Sequence, residues 1–324
     1  MEYAKYSYPY VNEFYSSLSE VYSHGKTVFP RGQETKEILQ ATIRFEAEKS
    51  LFTCPTRDLN FSFLFAENLW YLTGRNNLSL LNHYNKNYKN FADEGILRGA
   101  YGPMFMEQLS HVINSLRLDQ DSRQAVISLW RPNPQDAKDK PCTLSFHFMI
   151  RDDKLNLHAT MRSNDVIWGQ NYDAPSFSLL LMVVAGILKV RAGDVFLTVS
   201  SLHLYERHYE LAKKLLDKRI SYYDKPVNLI PCEVDSLEHH LECVDACLSA
   251  HFKIQDGQWP IEVILNENIP AFYRQHIGAM AFYNYKKMSD QDVGKVIAYL
   301  ERAHSPLSII FHDTYKNHIR KSCN

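Results

Sequence analysis

The 324 residues carry almost no excess charge of either sign: 36 lysines and arginines stand against 37 aspartates and glutamates, a formal net charge of −1. Without a positive surplus there is no general attraction to polyanions, so polymeric nucleic acid is not an expected partner. Small anionic ligands remain open, because a few local arginines suffice for them. Cysteine is sparse for the length. The six present, at 54, 142, 232, 243, 247 and 323, cannot make a dense disulfide framework and read as free thiols in a reducing cytoplasm. Long hydrophobic runs are missing too: the longest apolar stretch, about 177 to 188, is too short to cross a bilayer, so no membrane is expected. The opening MEYAKYSYPYVNEF lacks the basic start and apolar core of a signal peptide. Internal repeats and low-complexity linkers are absent as well.

What is present is a chain 45% hydrophobic and 13% aromatic, enough for one large domain or two smaller ones. Helical periodicity covers 10–22 and 58–73, with Gly25 and Gly74 as stops. Segments rich in β-formers follow at 123–130, 143–151 and 154–162, the last two joined by an Asp152-Asp153 turn that predicts a hairpin. A helix at 175–189, a strand at 194–200 and a helix at 206–216 complete a mixed α/β pattern. Beyond Tyr223 the character shifts: Pro226, Pro231 and a helix at 237–251 open a partly helical segment. The chain therefore divides as 1–223 and 224–324, the second part either a subdomain or packed on the first.

Several residues invite chemistry. Asp173 precedes an apolar helical run, where aspartate is a favoured N-cap. Cys142 follows Pro141 at the head of a strand, and the hairpin pattern lets Arg162 lie across from Thr143, one residue away. A cation at that distance can stabilise a thiolate and make the cysteine a nucleophile. His239, Cys243, Cys247 and His251 recur every four residues, but one straight helix cannot bring four ligands to a tetrahedral centre. They read as a packing face, and no metal is expected. Tyr3, Tyr6, Tyr8 and Tyr10 read as aromatic tethers for the terminus.

The motifs DSRQAVISLW (121–130), PC (141–142), MRSNDVIWGQNYD (161–173) and HLY (203–205), in this order and near this spacing, resemble the thymidylate synthase family over about residues 10–220. The resemblance implies a layered α/β fold with a mixed sheet and helices, here followed by a mostly helical C-terminal segment. It also implies a homodimer with shared active sites and a transferase of nucleotide biosynthesis. Cys142 would add to C6 of a pyrimidine monophosphate, making C5 nucleophilic toward the methylene of 5,10-methylenetetrahydrofolate. Arg162, Ser163, Arg31 and Arg123 contributed by the second copy would hold the phosphate, a role suited to the guanidinium fork. His203 and Tyr205 would hold the sugar, and Glu67 and Tyr101 would organise water and proton transfer at C5. Tyr88, Asp165, Gly169 and Tyr172 would line the folate side.

Departures from the family pattern redirect the expected product. Gln124 stands where a second arginine is usual, Thr143 where a histidine follows the nucleophile, and Tyr88 where a tryptophan packs against folate. The sequence ends in HIRKSCN, not in the family's apolar closing tail. A looser pocket lets water add to the methylene intermediate, which yields a 5-hydroxymethyl group. Asp173 occupies the position at which the family uses asparagine to read uracil. A carboxylate accepts from the N4 amino group of cytosine and shares a proton with N3, so dCMP or CMP is the expected substrate. Methylation of dUMP is the alternative, and a catalytically silent scaffold is the alternative of another class.

Overall fold

The computed structural model describes residues 9–131, 137–217 and 226–322. Helix α1 (Tyr10–His24) buries Tyr10, Val11, Phe14, Leu18 and Val21, whose spacing of three or four makes one apolar stripe. Tyr10 packs against Phe45 at 5.0 Å and donates its hydroxyl hydrogen to Asn171 Oδ1. This tyrosine ties the chain start to the core; Tyr3, Tyr6 and Tyr8 lie outside the described residues. Strands β1 (Lys26–Val28) and β2 (Thr35–Glu46) come next. The sequence reading missed β2 because its alternation breaks at Gln40, where φ is 62°. Strand β3 (Leu51–Phe52) leads to helix α2 (Phe61–Leu72), capped by Asn60 Oδ1 on the Phe63 amide. Helix α2 is buried on every face.

A single turn, α3 (Leu81–Tyr84), precedes α4 (Tyr101–Leu118), an 18-residue helix also missed from sequence. Its opening Gly102-Pro103 looks like a turn, yet proline is tolerated in a first helical turn, where no amide partner is needed. Gly102 is required for packing: a Cβ there would stand 2.9 Å from the Tyr71 carbonyl oxygen. Strand β4 (Val126–Ser128) is shorter than the predicted 123–130, whereas β5 (Thr143–Arg151) and β6 (Lys154–Met161) form the expected hairpin. Asp152 and Asp153 turn it with φ of 51° and 57°.

Strand β7 (Asn164–Asp165) and helix α5 (Gln170–Leu188) follow, then the long β8 (Arg191–Tyr205) and helix α6 (Tyr209–Asp217). The seven-stranded sheet runs β1-β2-β8-β6-β5-β4, with β7 also on β8. It is mixed, because β6 and β8 are parallel while β2/β8 and β5/β6 are antiparallel. One face, with Phe45, Phe146, Phe148, Leu157, Val195 and Leu197, is buried under α1 and α5. The other presents His147, Met149, His158, Thr160, Phe196 and Thr198 half-exposed. At 19 residues α5 is long and apolar enough to cross a membrane, but it is mostly buried here as the central helix of the core.

Strand β9 (Pro226–Val227) pairs back onto β3. Helices α7 (Leu237–Asp256), α8 (Ile261–Ile264), α9 (Ala271–Phe282), α10 (Asp290–Arg302) and α11 (Leu307–Ser322) make up the rest. On α7, Cys243, Cys247 and His251 are buried, while His239 turns out to pair with Asp235 at 3.0 Å. Among the described residues no group of three His, Cys, Asp or Glu could hold a metal ion. The boundary read at 223/224 falls outside the described residues.

Candidate active site

Cys142, Arg162, Ser163, His203, Tyr205, Tyr172, Asp173, Tyr88 and Tyr101 are each half-buried beside fully buried neighbours. The hairpin register pairs Thr143 with Met161, so Arg162 lies across from Cys142 itself, one residue nearer than the sequence reading placed it. Its amide donates to the Cys142 carbonyl at 2.8 Å. The guanidinium donates to the carbonyls of Pro141 and Lys140 at 3.0 Å each and stands 3.7 Å from the Cys142 sulfur. Ser163 Oγ lies at the same distance from that sulfur and accepts from Arg162. Burial opposes the thiolate that this pairing favours. Burial pushes the Cys142 thiol up, with Asp173 and Asp139 adding to the rise, and Arg162 and Ser163 offset only part of it.

Glu67 projects from the buried α2. It accepts a hydrogen bond from Tyr88, and Tyr71 one turn further along the same helix also bonds it. Loss of hydration raises its carboxyl to about 7 against those two donors, which suits a group that takes and returns a proton near neutrality. Tyr101 accepts from both the amide and the hydroxyl of Thr143, at 3.2 and 3.1 Å, which leaves its own hydrogen to donate elsewhere. Tyr71 stacks on it at 5.3 Å.

Asp173 is not the helix cap that the sequence suggested. Helix α5 starts five residues earlier than predicted, and Asp173 sits inside it, its amide donating to the Gly169 carbonyl at 2.8 Å. Pro175 misled the reading by marking an apparent start. The Asp173 carboxyl is held well above the usual carboxylate range by burial first, then by the charges of Glu67 and Asp165, with Asn164 pulling the other way. Gly169 gives this group room, since a Cβ there would come within 3.0 Å of Asn164 Oδ1 and 3.4 Å of Asp173 Oδ2.

Asp165 Oδ1 accepts from the amides of Ile167 and Trp168, and β7 pairs it with His203. His203 Nδ1 faces the Ser201 carbonyl at 3.3 Å, so that nitrogen carries the hydrogen and Nε2 is left as an acceptor. Burial lowers its pKa and keeps it neutral. Tyr205 meets the His203 ring edge-on at 5.0 Å. Tyr172 accepts from the Asn60 amide at 3.1 Å, tying α5 to the start of α2.

Two expected members stand differently: the turn that holds Arg31 adjoins Tyr205, which pairs with Thr35, whereas Arg123 is remote. Arg31 is exposed in the turn Pro30–Gly32, with φ of 53° and no partner among the described residues. Arg123 precedes β4, near the end of β5 opposite Cys142: Ala125 already faces Phe148, six residue steps along the strand from Cys142, about 20 Å. Arg57 was missed, for nothing in its local sequence marks it. It is 5% exposed, donates Nε to the Ile167 carbonyl and lies 4.1 Å under the Trp168 ring, with Nη2 unpartnered among the described residues. Tyr71 was also missed, although its place four residues after Glu67 on a helix was a usable signal.

Comparisons with known proteins bear on the family. The chain is 34% identical over 215 residues to a Bacillus phage SP01 protein named deoxyuridylate hydroxymethyltransferase. That match spans little more than half of either protein, 59% of this chain and 56% of the relative. A family model described as thymidylate synthase matches residues 12–253, which take in the whole sheet, Cys142, Arg162, Glu67 and Asp173. With three-quarters of its length under that model, the chain belongs to the thymidylate synthase family.

Proposed function

We propose that the protein transfers the one-carbon unit of 5,10-methylenetetrahydrofolate to C5 of a pyrimidine nucleoside monophosphate and releases the 5-hydroxymethyl nucleotide. Asp173 carries the reading: a carboxyl whose pKa burial and the charge of Glu67 raise well above the usual carboxylate range, on the helix that follows Arg162 and Ser163, and which acts here as the neutral acid. A neutral acid donates its hydrogen to N3 of cytosine and accepts from the N4 amino group, so dCMP or CMP is the first choice. That proton withdraws electron density from the ring and favours addition of the Cys142 sulfur at C6. Arg162 and Ser163 receive the charge when the thiol gives up its proton.

A second base fits the same group. In the neutral state Asp173 can also accept from N3-H of uracil and donate to O4, which removes the acceptor-to-acceptor conflict expected of a carboxylate. The name of the phage relative supports this reading, and the uracil nucleotide stands as the alternative substrate.

The hydroxymethyl outcome follows from Tyr88 and Glu67. Once C5 carries an exocyclic methylene, a water oxygen adds to that carbon and its proton passes to Glu67. The released electron pair re-forms the ring double bond as the Cys142 sulfur leaves C6. No hydride moves, so the folate departs as tetrahydrofolate. Tyr88, bonded to Glu67, belongs to the water side of this site as much as to the folate side. For the folate itself, Tyr172 and Gly169 offer a wall, Asp165 an acceptor, and the unpartnered Nη2 of Arg57 fits an anionic carboxylate. His203 and Tyr205 take the sugar. Arg31 of the same chain, and Arg123 from a second copy, join Arg162 and Ser163 at the phosphate, the two copies meeting through the half-exposed sheet face.

The test is a product assay with methylenetetrahydrofolate and each of dCMP, CMP, dUMP and UMP. A 5-hydroxymethyl nucleotide without dihydrofolate is expected. Stoichiometric dihydrofolate with a methylated base would refute the reading.

A further inference from the structure

The functional groups named so far all precede residue 217, leaving α9 with no part in the site. Yet α9 packs along α2, the helix that carries Glu67. Within that contact Asn68, the residue after Glu67, is fully buried with both ends of its amide engaged. Its Nδ2 donates to the Ser176 carbonyl of α5 at 3.2 Å, and its Oδ1 faces His276 Nε2 of α9 at 2.9 Å.

The hydrogens can be assigned by elimination. The Ser176 carbonyl can only accept, so the Asn68 amide nitrogen faces it and the Asn68 oxygen points toward the histidine. His276 Nδ1 faces the Phe272 carbonyl at 3.1 Å, an oxygen one helical turn back. Both oxygens can only accept, and burial lowers His276 to about 4 and leaves it one ring hydrogen for the two. It is placed on Nε2, because Asn68 Oδ1 is the nearer and has no other donor among the described residues, whereas the Phe272 carbonyl already accepts within α9. The ring is wedged edge-on to Phe65 at 5.0 Å and beside Phe272 at 5.2 Å.

We infer that His276 is a positioning residue for the active site: through Asn68 it clasps α2 to α5 and thereby fixes Glu67 against Asp173. The inference rests on the proposed function only in treating those two carboxyls as active-site groups. If the histidine donor is lost, Asn68 keeps a buried oxygen without a partner, and the relief available is a shift of α2 or entry of water. Glu67 is the adjacent residue and depends on exclusion of water for its raised pKa. The titratable groups facing it are Tyr71 on its own helix, Tyr88 from the turn at Lys86–Asn90, and Tyr172 and Asp173 on α5.

The experiment follows the Glu67 carboxyl directly, by NMR titration of full-length protein labelled with carbon-13 at glutamate carboxyls. His276→Phe keeps a ring and removes the donor, Asn68→Leu removes the acceptor from the other side, and His276→Gln restores a donor. Hydration of Glu67 should lower its midpoint by about one pH unit in His276→Phe and in Asn68→Leu. The double variant should go no further than either single one, and His276→Gln should recover. Folate-independent exchange of the nucleotide C5 proton should fall about tenfold in kcat with unchanged nucleotide affinity. An unmoved Glu67 midpoint in folded His276→Phe and Asn68→Leu proteins overturns the clasp. A shifted midpoint in a protein that turns over no pyrimidine nucleotide upholds the clasp and refutes the functional reading.

Discussion

Tyr88 donates its phenolic hydrogen to Glu67, joining the turn at Lys86–Asn90 to the buried helix α2. This bond lowers the Glu67 pKa against the larger effect of burial. Tyr88→Phe should therefore raise Glu67 further and move the acid limb of kcat to higher pH, because the ionised carboxylate accepts the proton from water. An acid limb that stays in place would show that Tyr88 does not act on Glu67.

Burial of Glu67 also carries a cost in stability with a definite sign. Its folded pKa of about 7 lies above the ordinary 4.5, so the folded protein holds the proton more tightly. The associated stability is fully present below pH 4.5 and lost as pH rises through 7, amounting to about 3 kcal/mol at the limit. Glu67→Gln should gain stability relative to the unaltered protein as pH goes from 5 to 8. Parallel curves of urea-unfolding stability against pH for the two proteins would contradict this.

Cys142 rests as a thiol, and Arg162 lowers the barrier to its ionisation. Alkylation by iodoacetamide at pH 7 should be slower than for a free exposed cysteine, and roughly tenfold slower still in Arg162→Ala. Cys142→Ala should abolish C5 proton exchange, since exchange requires addition at C6. Exchange that survives in Cys142→Ala excludes the nucleophile.

Arg123 lies beyond Ala125, whose partner Phe148 is already about 20 Å along the sheet from the Cys142 of its own chain, too far for a shared phosphate. Mixing inactive Cys142→Ala with inactive Arg123→Ala protein should restore activity, because a mixed dimer contains one intact site. No recovery after verified subunit exchange, or a strict monomer in solution, would rule out the shared site.

Asp173→Asn separates the two candidate bases. An amide has no proton to pass to N3 but gives uracil the same pair of bonds as the neutral acid, so turnover of cytosine nucleotide should fall while that of uracil nucleotide is kept, shifting the ratio of kcat/KM tenfold or more. Folding should not suffer, since Asp173 caps nothing. An unchanged ratio removes Asp173 from base recognition.

The sequence by itself determined the central hairpin, the helices at 10–22 and 58–73 and the order of the four motifs, because each depends on local alternation, turn residues or spacing. It also put Cys142 and Arg162 together, since an antiparallel hairpin makes neighbours of residues at fixed offsets. Whatever depends on distant partners was left to the tertiary structure. Strand β2 exists because β8 supplies its hydrogen bonds, despite the break at Gln40, and α4 forms through Gly102 in contact with α2. Protonation was equally hidden: Glu67 and Asp173 look like ordinary carboxylates in a string of letters. Only the packing of α2, α5 and the tyrosines around them excludes the water that would hold both at ordinary carboxylate pKa values. The same burial leaves Cys142 a thiol beside its arginine, where spacing alone suggested a thiolate.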